Sequence, residues 1–116
     1  MKIHNWNEIE PEQITDSLTR RYISSDNVTM ARFFLKKGCL VQAHSHVNEQ
    51  MSTVITGALK FVVDGEERIV RSGETIQIPP FATHYVEAVE DTDALDVFSP
   101  SRSDWERGDD AYLRNP

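Results

Sequence analysis

The sequence predicts an all-β domain, an antiparallel sandwich or barrel. Three observations predict it. Short stretches rich in β-branched and aromatic residues recur along the chain. Glycines at 38, 57, 65 and 73 and the pair Pro79-Pro80 fall between those stretches, where chain reversals are needed. Candidate helices are confined to the two ends. A chain of 116 residues is the length of one domain and buries enough surface for one core.

The elements follow in chain order. Residues 1–21 read as an N-terminal arm, with a short helical turn over Glu10 to Leu18 after Pro11. The barrel core is expected over about residues 22–99. Val28 to Lys36 is its first clear strand. Met51 to Thr56 and Leu59 to Asp64 follow. Asp64-Gly65 lies between Phe61-Val62-Val63 and Arg68-Ile69-Val70, and this dipeptide is the mark of a hairpin whose turn needs positive φ. Thr75 to Ile78 is a short strand stopped by Pro79-Pro80; His84 to Val89 and Leu95 to Phe98 complete the set. Residues 100–116 read as an acidic, solvated tail, with a helix over Ser103 to Leu113 and Ser103 as its N-cap.

Composition narrows the function classes. There are 19 acidic and 12 basic residues, a formal charge of −7, which argues against nucleic acid or an anionic membrane as partner. From Glu90 to Pro116 there are eight acidic and three basic residues, so most of the excess sits near the C-terminus. An anionic ligand would need a local cation to overcome that field. No apolar run approaches a membrane span, and the first residues lack an apolar signal core, so a cytoplasmic location is expected. The single cysteine, Cys39, reads as a small buried hydrophobe, and His4 as a surface residue.

The remaining histidines are spaced for chemistry. His44 and His46 are two residues apart, which on a strand sets both on one face. His84 opens a later strand that antiparallel pairing can bring beside them. The wider spacing is more specific: Gly38, five residues, His44, one residue, His46, three residues, Gln50, six residues, Gly57. After fifteen residues come Gly73, five residues, Pro79, and then His84. This resembles the two motifs of the cupin superfamily, Gly-x5-His-x-His-x3,4-Glu-x6-Gly and Gly-x5-Pro-x-Gly-x2-His-x3-Asn. The resemblance implies a double-stranded β-helix, the jelly-roll barrel, with one divalent transition metal ion held by His44, His46, Gln50 and His84. Gln50 stands where the family has glutamate, Phe81 where it has glycine and Ala88 where it has asparagine. A neutral three-His, one-Gln set leaves the ion's charge uncompensated and favours an anionic or carbonyl ligand. Nickel, zinc, iron, copper and manganese all suit these donors.

A second segment carries the next resemblance. By alternation alone Leu95 and Val97 face the core and Asp96 faces solvent. Asp96, Phe98 and Arg102, however, match the Asp-x-Phe-x-x-x-Arg segment of the small cupins of the KdgF group, and the continuation through Trp105 is similar too. That resemblance implies linearisation of a 4,5-unsaturated monouronate from pectin or alginate. Asp96 is then the acid/base, Phe98 packs against the sugar ring, and Arg102 holds the carboxylate of a small anionic sugar. It also turns Leu95 and Val97 outward, to be covered by another layer or by the second chain of a homodimer. A cupin oxygenase and a non-catalytic, acid-binding cupin are the competing readings, because fold alone does not fix function.

Overall fold

The computed structural model describes residues 1–114. Ten strands form two antiparallel sheets. One sheet has six strands in the spatial order β1 (Glu12–Thr15), β2 (Leu18–Ser24), β3 (Thr29–Leu35), β10 (Thr92–Ser99), β5 (Glu49–Thr56) and β8 (Thr75–Ile78). The other has four, ordered β4 (Leu40–His44), β9 (His84–Ala88), β6 (Ala58–Val63) and β7 (Glu66–Arg71). Two short helices, α1 (Ser103–Glu106) and α2 (Ala111–Arg114), follow the last strand. This is the jelly-roll arrangement, with one apolar core drawn from both sheets.

Period-two alternation decides what faces the interior. Thr29, Ala31, Phe33 and Leu35 are buried on β3, Gln50, Ser52 and Val54 on β5, and Thr92, Ala94 and Phe98 on β10. The same parity puts Asp96 on the inner face, opposite Ser52 on β5 and Ala31 on β3. Leu95 and Val97 therefore point outward. The simple apolar-in reading of β10 fails because an inward position of this strand is taken by the carboxylate of Asp96. The Asp64-Gly65 turn has positive φ at both residues, 47° and 82°, and joins β6 to β7 through a two-residue loop.

The ends depart from expectation. Glu10 to Leu18 is no helical turn: β1 and β2 form a hairpin that extends the large sheet beside β3, with Leu18 opposite Leu35. The barrel thus starts at Glu12 rather than about residue 22. The inward alternation of β2 is masked in sequence because its middle member is Arg20, only 2% exposed. Its charge is met by Glu12 at 3.1 Å and Asp110 at 3.0 Å. The tail is also not a solvated strand of acid. Arg102, Trp105, Asp110 and Leu113 are buried, and the segment folds back on the barrel. The expected helix over 103–113 is split, since Gly108 takes a φ of 81°. Arg102, not Ser103, is the N-cap of α1, and it caps without a side-chain bond. Asn115 and Pro116, the end of the expected tail, lie outside the described residues.

Candidate functional site

Three histidines converge at one end of the barrel. His44 ends β4 and pairs directly with His84, the first residue of β9. His46 lies just beyond β4, where the chain turns toward β5. The ring centroids are 5.5 Å apart for His44 and His46, 4.3 Å for His44 and His84, and 5.0 Å for His46 and His84. Their candidate donor atoms all lie within 4.8 Å of one another.

Backbone carbonyls set the tautomer of each ring. His44 Nδ1 lies 2.8 Å from the Gln42 carbonyl, His46 Nδ1 3.0 Å from that of Asn48, and His84 Nδ1 2.9 Å from that of Ala82. A carbonyl only accepts, so each Nδ1 carries the proton and each Nε2 keeps a lone pair. Burial of the imidazoles pushes His44 down to about 3 and His46 down to about 4, and it lowers His84 as well. All three are neutral at pH 7. His84 Nε2 is buried with no hydrogen-bond partner among the described residues.

Gln50 completes the cluster. It is buried on β5, while Glu49 is exposed, as their opposite faces require. Its Nε2 donates to Ser52 Oγ at 2.9 Å and to Asp96 Oδ2 at 3.4 Å. When Asp96 is ionised it only accepts, which holds the amide nitrogen on that side. Oε1 then faces His46 Nε2 at 3.1 Å. Two lone pairs confront each other at that distance, which is unfavourable unless a cation sits before them. Together with the orphaned His84 Nε2, this donor set fits a divalent metal ion.

Asp96 lies behind Gln50 on the same inner face. Burial pushes its carboxyl up to about 7, against the opposing pull of the Ser52 hydrogen bond and the Arg102 charge. A carboxyl group in that range can both take and give a proton near neutrality. Ser52 was not singled out from sequence, although its place two residues after Gln50 on a strand could have found it.

Arg102 is arranged differently from expectation. Its Nε and Nη2 bond both oxygens of Asp104, at 3.0 and 2.8 Å, and Nη2 also donates to Tyr112 Oη at 2.7 Å. The two-pronged grip expected for a ligand is thus held by Asp104. The guanidinium lies 4.7 Å over the Phe98 ring and 4.4 Å over that of Trp105. Phe98 also meets His46 edge-on, centroids 5.8 Å apart. Phe98 therefore supports His46 and Arg102, and one of its faces is already covered. Tyr112 was missed. It stacks on His44 with centroids 4.1 Å apart, and no motif or spacing in the sequence marks it. Asn48 was missed too: it is buried, and its Nδ2 donates to the Pro100 carbonyl at 2.6 Å, tying the histidine loop to the segment after β10.

Comparison with known proteins agrees with this fold. The cupin domain family matches residues 31–99. The pectin degradation protein KdgF of Dickeya dadantii (strain 3937) is 31% identical over 97 residues, covering 81% of this chain and 88% of that protein. The structure of KdgF from Halomonas sp. superposes with a TM-score of 0.80 at 24% identity, over 85% of this chain and 93% of that one. An RmlC-like cupin from Shewanella frigidimarina NCIMB 400 gives 0.84 at 24% identity, over 90% and 96%. At that identity the two structures speak for the fold alone, whereas the family match and the Dickeya sequence speak for descent. The chain belongs to the cupin family, in the group that includes the pectin degradation protein KdgF.

Proposed function

We propose that the protein linearises a 4,5-unsaturated monouronate released in pectin or alginate breakdown. The observation that carries this reading is the inward Asp96, set within one hydrogen-bonded row with Gln50 and Ser52 behind three converging imidazoles. The kinship with a pectin degradation protein supports the substrate class.

The reaction is an isomerisation, so no atoms or electrons enter or leave. Asp96 as carboxylate takes the proton of the anomeric hydroxyl while the bond from C1 to the ring oxygen breaks. The O–H electron pair becomes the aldehyde, and the pair from the broken bond goes to the ring oxygen, which becomes an enolate. Asp96 then returns a proton to C4, and the former enol ether carbon becomes a ketone. Gln50 and Ser52 hold Asp96 in place through the amide bridge. Arg102, paired with Asp104, offers an N–H donor to the substrate carboxylate, and in a protein of net charge −7 the uncompensated local positive charge would come from a bound metal ion. One divalent metal ion per chain would be held by His44, His46, Gln50 and His84, and when bound it supplies Lewis acidity at the sugar oxygens. A cytoplasmic location and a homodimer, covering Leu95 and Val97, complete the proposal.

Metal binding is tested separately from turnover. Nickel or zinc at about a hundredfold excess over Kd should stabilise the fold by about 2.7 kcal/mol, read as a rise in Tm, and His84→Ala should abolish the rise. For activity, the metal-loaded protein is incubated with unsaturated galacturonate and with the alginate-derived monouronate, following loss of the double-bond absorbance. Acceleration of either is expected. No acceleration of both at full metal occupancy overturns the reading.

A further inference from the structure

The C-terminal segment occupies the mouth of the proposed site in an unusual way. The Tyr112 ring lies nearly parallel to the His44 ring, at 26° and 4.1 Å between centroids. Its phenol oxygen accepts two N–H bonds, from Arg102 Nη2 at 2.7 Å and from Trp105 Nε1 at 3.0 Å. Both donors lack any acceptor capacity, so they form a fixed pair of N–H groups aimed at one oxygen. A sugar acid could present a six-membered ring and a carboxylate oxygen at that spot.

The cavity that remains is about 50 Å³ and is bordered by Tyr112 and Leu113 together with His44, Asp96 and Arg102. Sites that enclose a small organic ligand run from about 300 Å³ upward, so a uronate does not fit while Tyr112 is seated. Beyond the His44 stack, the two N–H bonds and Leu113, ion pairs hold the segment. Asp110 accepts from Arg20 at 3.0 Å and from Arg114 at 2.9 and 3.0 Å, and Arg114 also lies 3.8 Å from Glu12. Only one apolar side chain of α2, Leu113, is buried. A four-residue helix after a glycine at positive φ, held by ion pairs, is the kind of element that opens locally without global unfolding.

We propose that Tyr112 is a self-ligand: its phenol fills an oxygen subsite built by Arg102 Nη2 and Trp105 Nε1, and a sugar carboxylate takes its place when α2 swings out. Trp105 is thereby a substrate-binding donor, and α2 a competitive plug. The identity of the displacing ligand rests on the uronate reading above; the displacement itself is measured by binding, without turnover.

The test uses saturated D-galacturonate, which has no double bond to react, titrated calorimetrically into the full-length metal-loaded protein. Tyr112→Ala removes the plug and should bind about tenfold more tightly than the unsubstituted chain. Tyr112→Phe keeps the ring and core packing but frees both N–H donors, and it should show a smaller gain in the same direction. Adding Trp105→Phe to Tyr112→Phe should cancel that gain. In the unsubstituted protein, saturating galacturonate should speed amide exchange in residues 110–114. Equal or weaker binding by both Tyr112 variants, exchange in that segment unchanged or slowed by ligand, or no binding by any variant overturns the inference. Failure of the uronate reading shows elsewhere, as no turnover of the unsaturated sugars by the unsubstituted enzyme. A Tyr112→Phe gain alongside that failure would leave the carboxylate subsite standing with a different acid as its ligand.

Discussion

At the scale of single residues, two positions show how local chemistry is set. Asp96 is turned inward by its strand, among buried groups that leave it a partner in Gln50; in the proposed reaction that placement makes it the acid/base. Asp96→Asn keeps the shape and the amide contact but cannot shuttle a proton. It should lower turnover of an unsaturated uronate by about 10²–10⁴-fold with metal content unchanged, and full activity would remove Asp96 from the mechanism. Phe81 stands where the second cupin motif has glycine. It takes a φ of 65°, is 68% exposed, and its N–H donates to the His46 carbonyl at 2.8 Å. The turn therefore keeps its glycine geometry without the glycine. Phe81→Gly should raise stability by about 1 kcal/mol in urea denaturation, because the side chain is strained and buries little.

At the scale of elements, the close contacts lie where strands cross between sheets. Gly57, the last residue of the first motif, has a φ of 102°, and a Cβ there would come 2.4 Å from the Asp91 carbonyl oxygen and 2.5 Å from Thr92 Oγ1. Thr92 cannot yield, since its hydroxyl bonds both the N–H and the carbonyl of Ala58. Gly57→Ala should cost about 3 kcal/mol in denaturant unfolding. The hairpin of β1 and β2 is joined to α2 by Glu12, Arg20, Asp110 and Arg114. Hydrogen bonds from Arg114 and Arg20 hold Asp110 below the usual carboxylate range against its burial. Burial works against Asp104 as well, yet the Arg102 hydrogen bonds and charge hold it below its ordinary value. For a carboxyl lowered by folding, the stabilisation is complete above its unfolded pKa near 4 and is lost as pH falls through the folded value. Stability should therefore drop with acid below about pH 4, and Asp110→Asn should flatten that drop in Tm measured against pH.

At the scale of the whole molecule, the two faces of the large sheet have different duties. The inner face carries Gln50 and Asp96 of the candidate site. The outer face presents Phe34, Met51 and Ile55 exposed, with Leu95 and Val97 half-buried among them. Cross-strand register sets Val97 between Met30 and Met51, while the Arg32–Asp93 ion pair separates that group from Phe34. A homodimer through this face should sediment at twice the chain mass of 13.3 kDa, and Ile55→Glu should shift it toward the monomer. A single-chain mass at all concentrations would end that proposal.

The sequence by itself determined the class of fold, seven of the ten strands to within a few residues, and the histidine set. Alternation and turn chemistry are local, and motif spacing encodes which residues return to one end of a barrel. It also picked out Gln50, which the six-residue step to Gly57 selects. The tertiary structure decided the rest. The β1–β2 hairpin was hidden because its inward Arg20 looks polar until Glu12 and Asp110, far apart in the chain, neutralise it. Asp96 looked solvent-bound until register placed Ser52 and Gln50 beside it. The excess of acid near the C-terminus read as a free tail. Folded, two of its carboxylates are clamps, and the segment brings Tyr112 onto His44 across 68 positions of sequence, a contact no local pattern can encode.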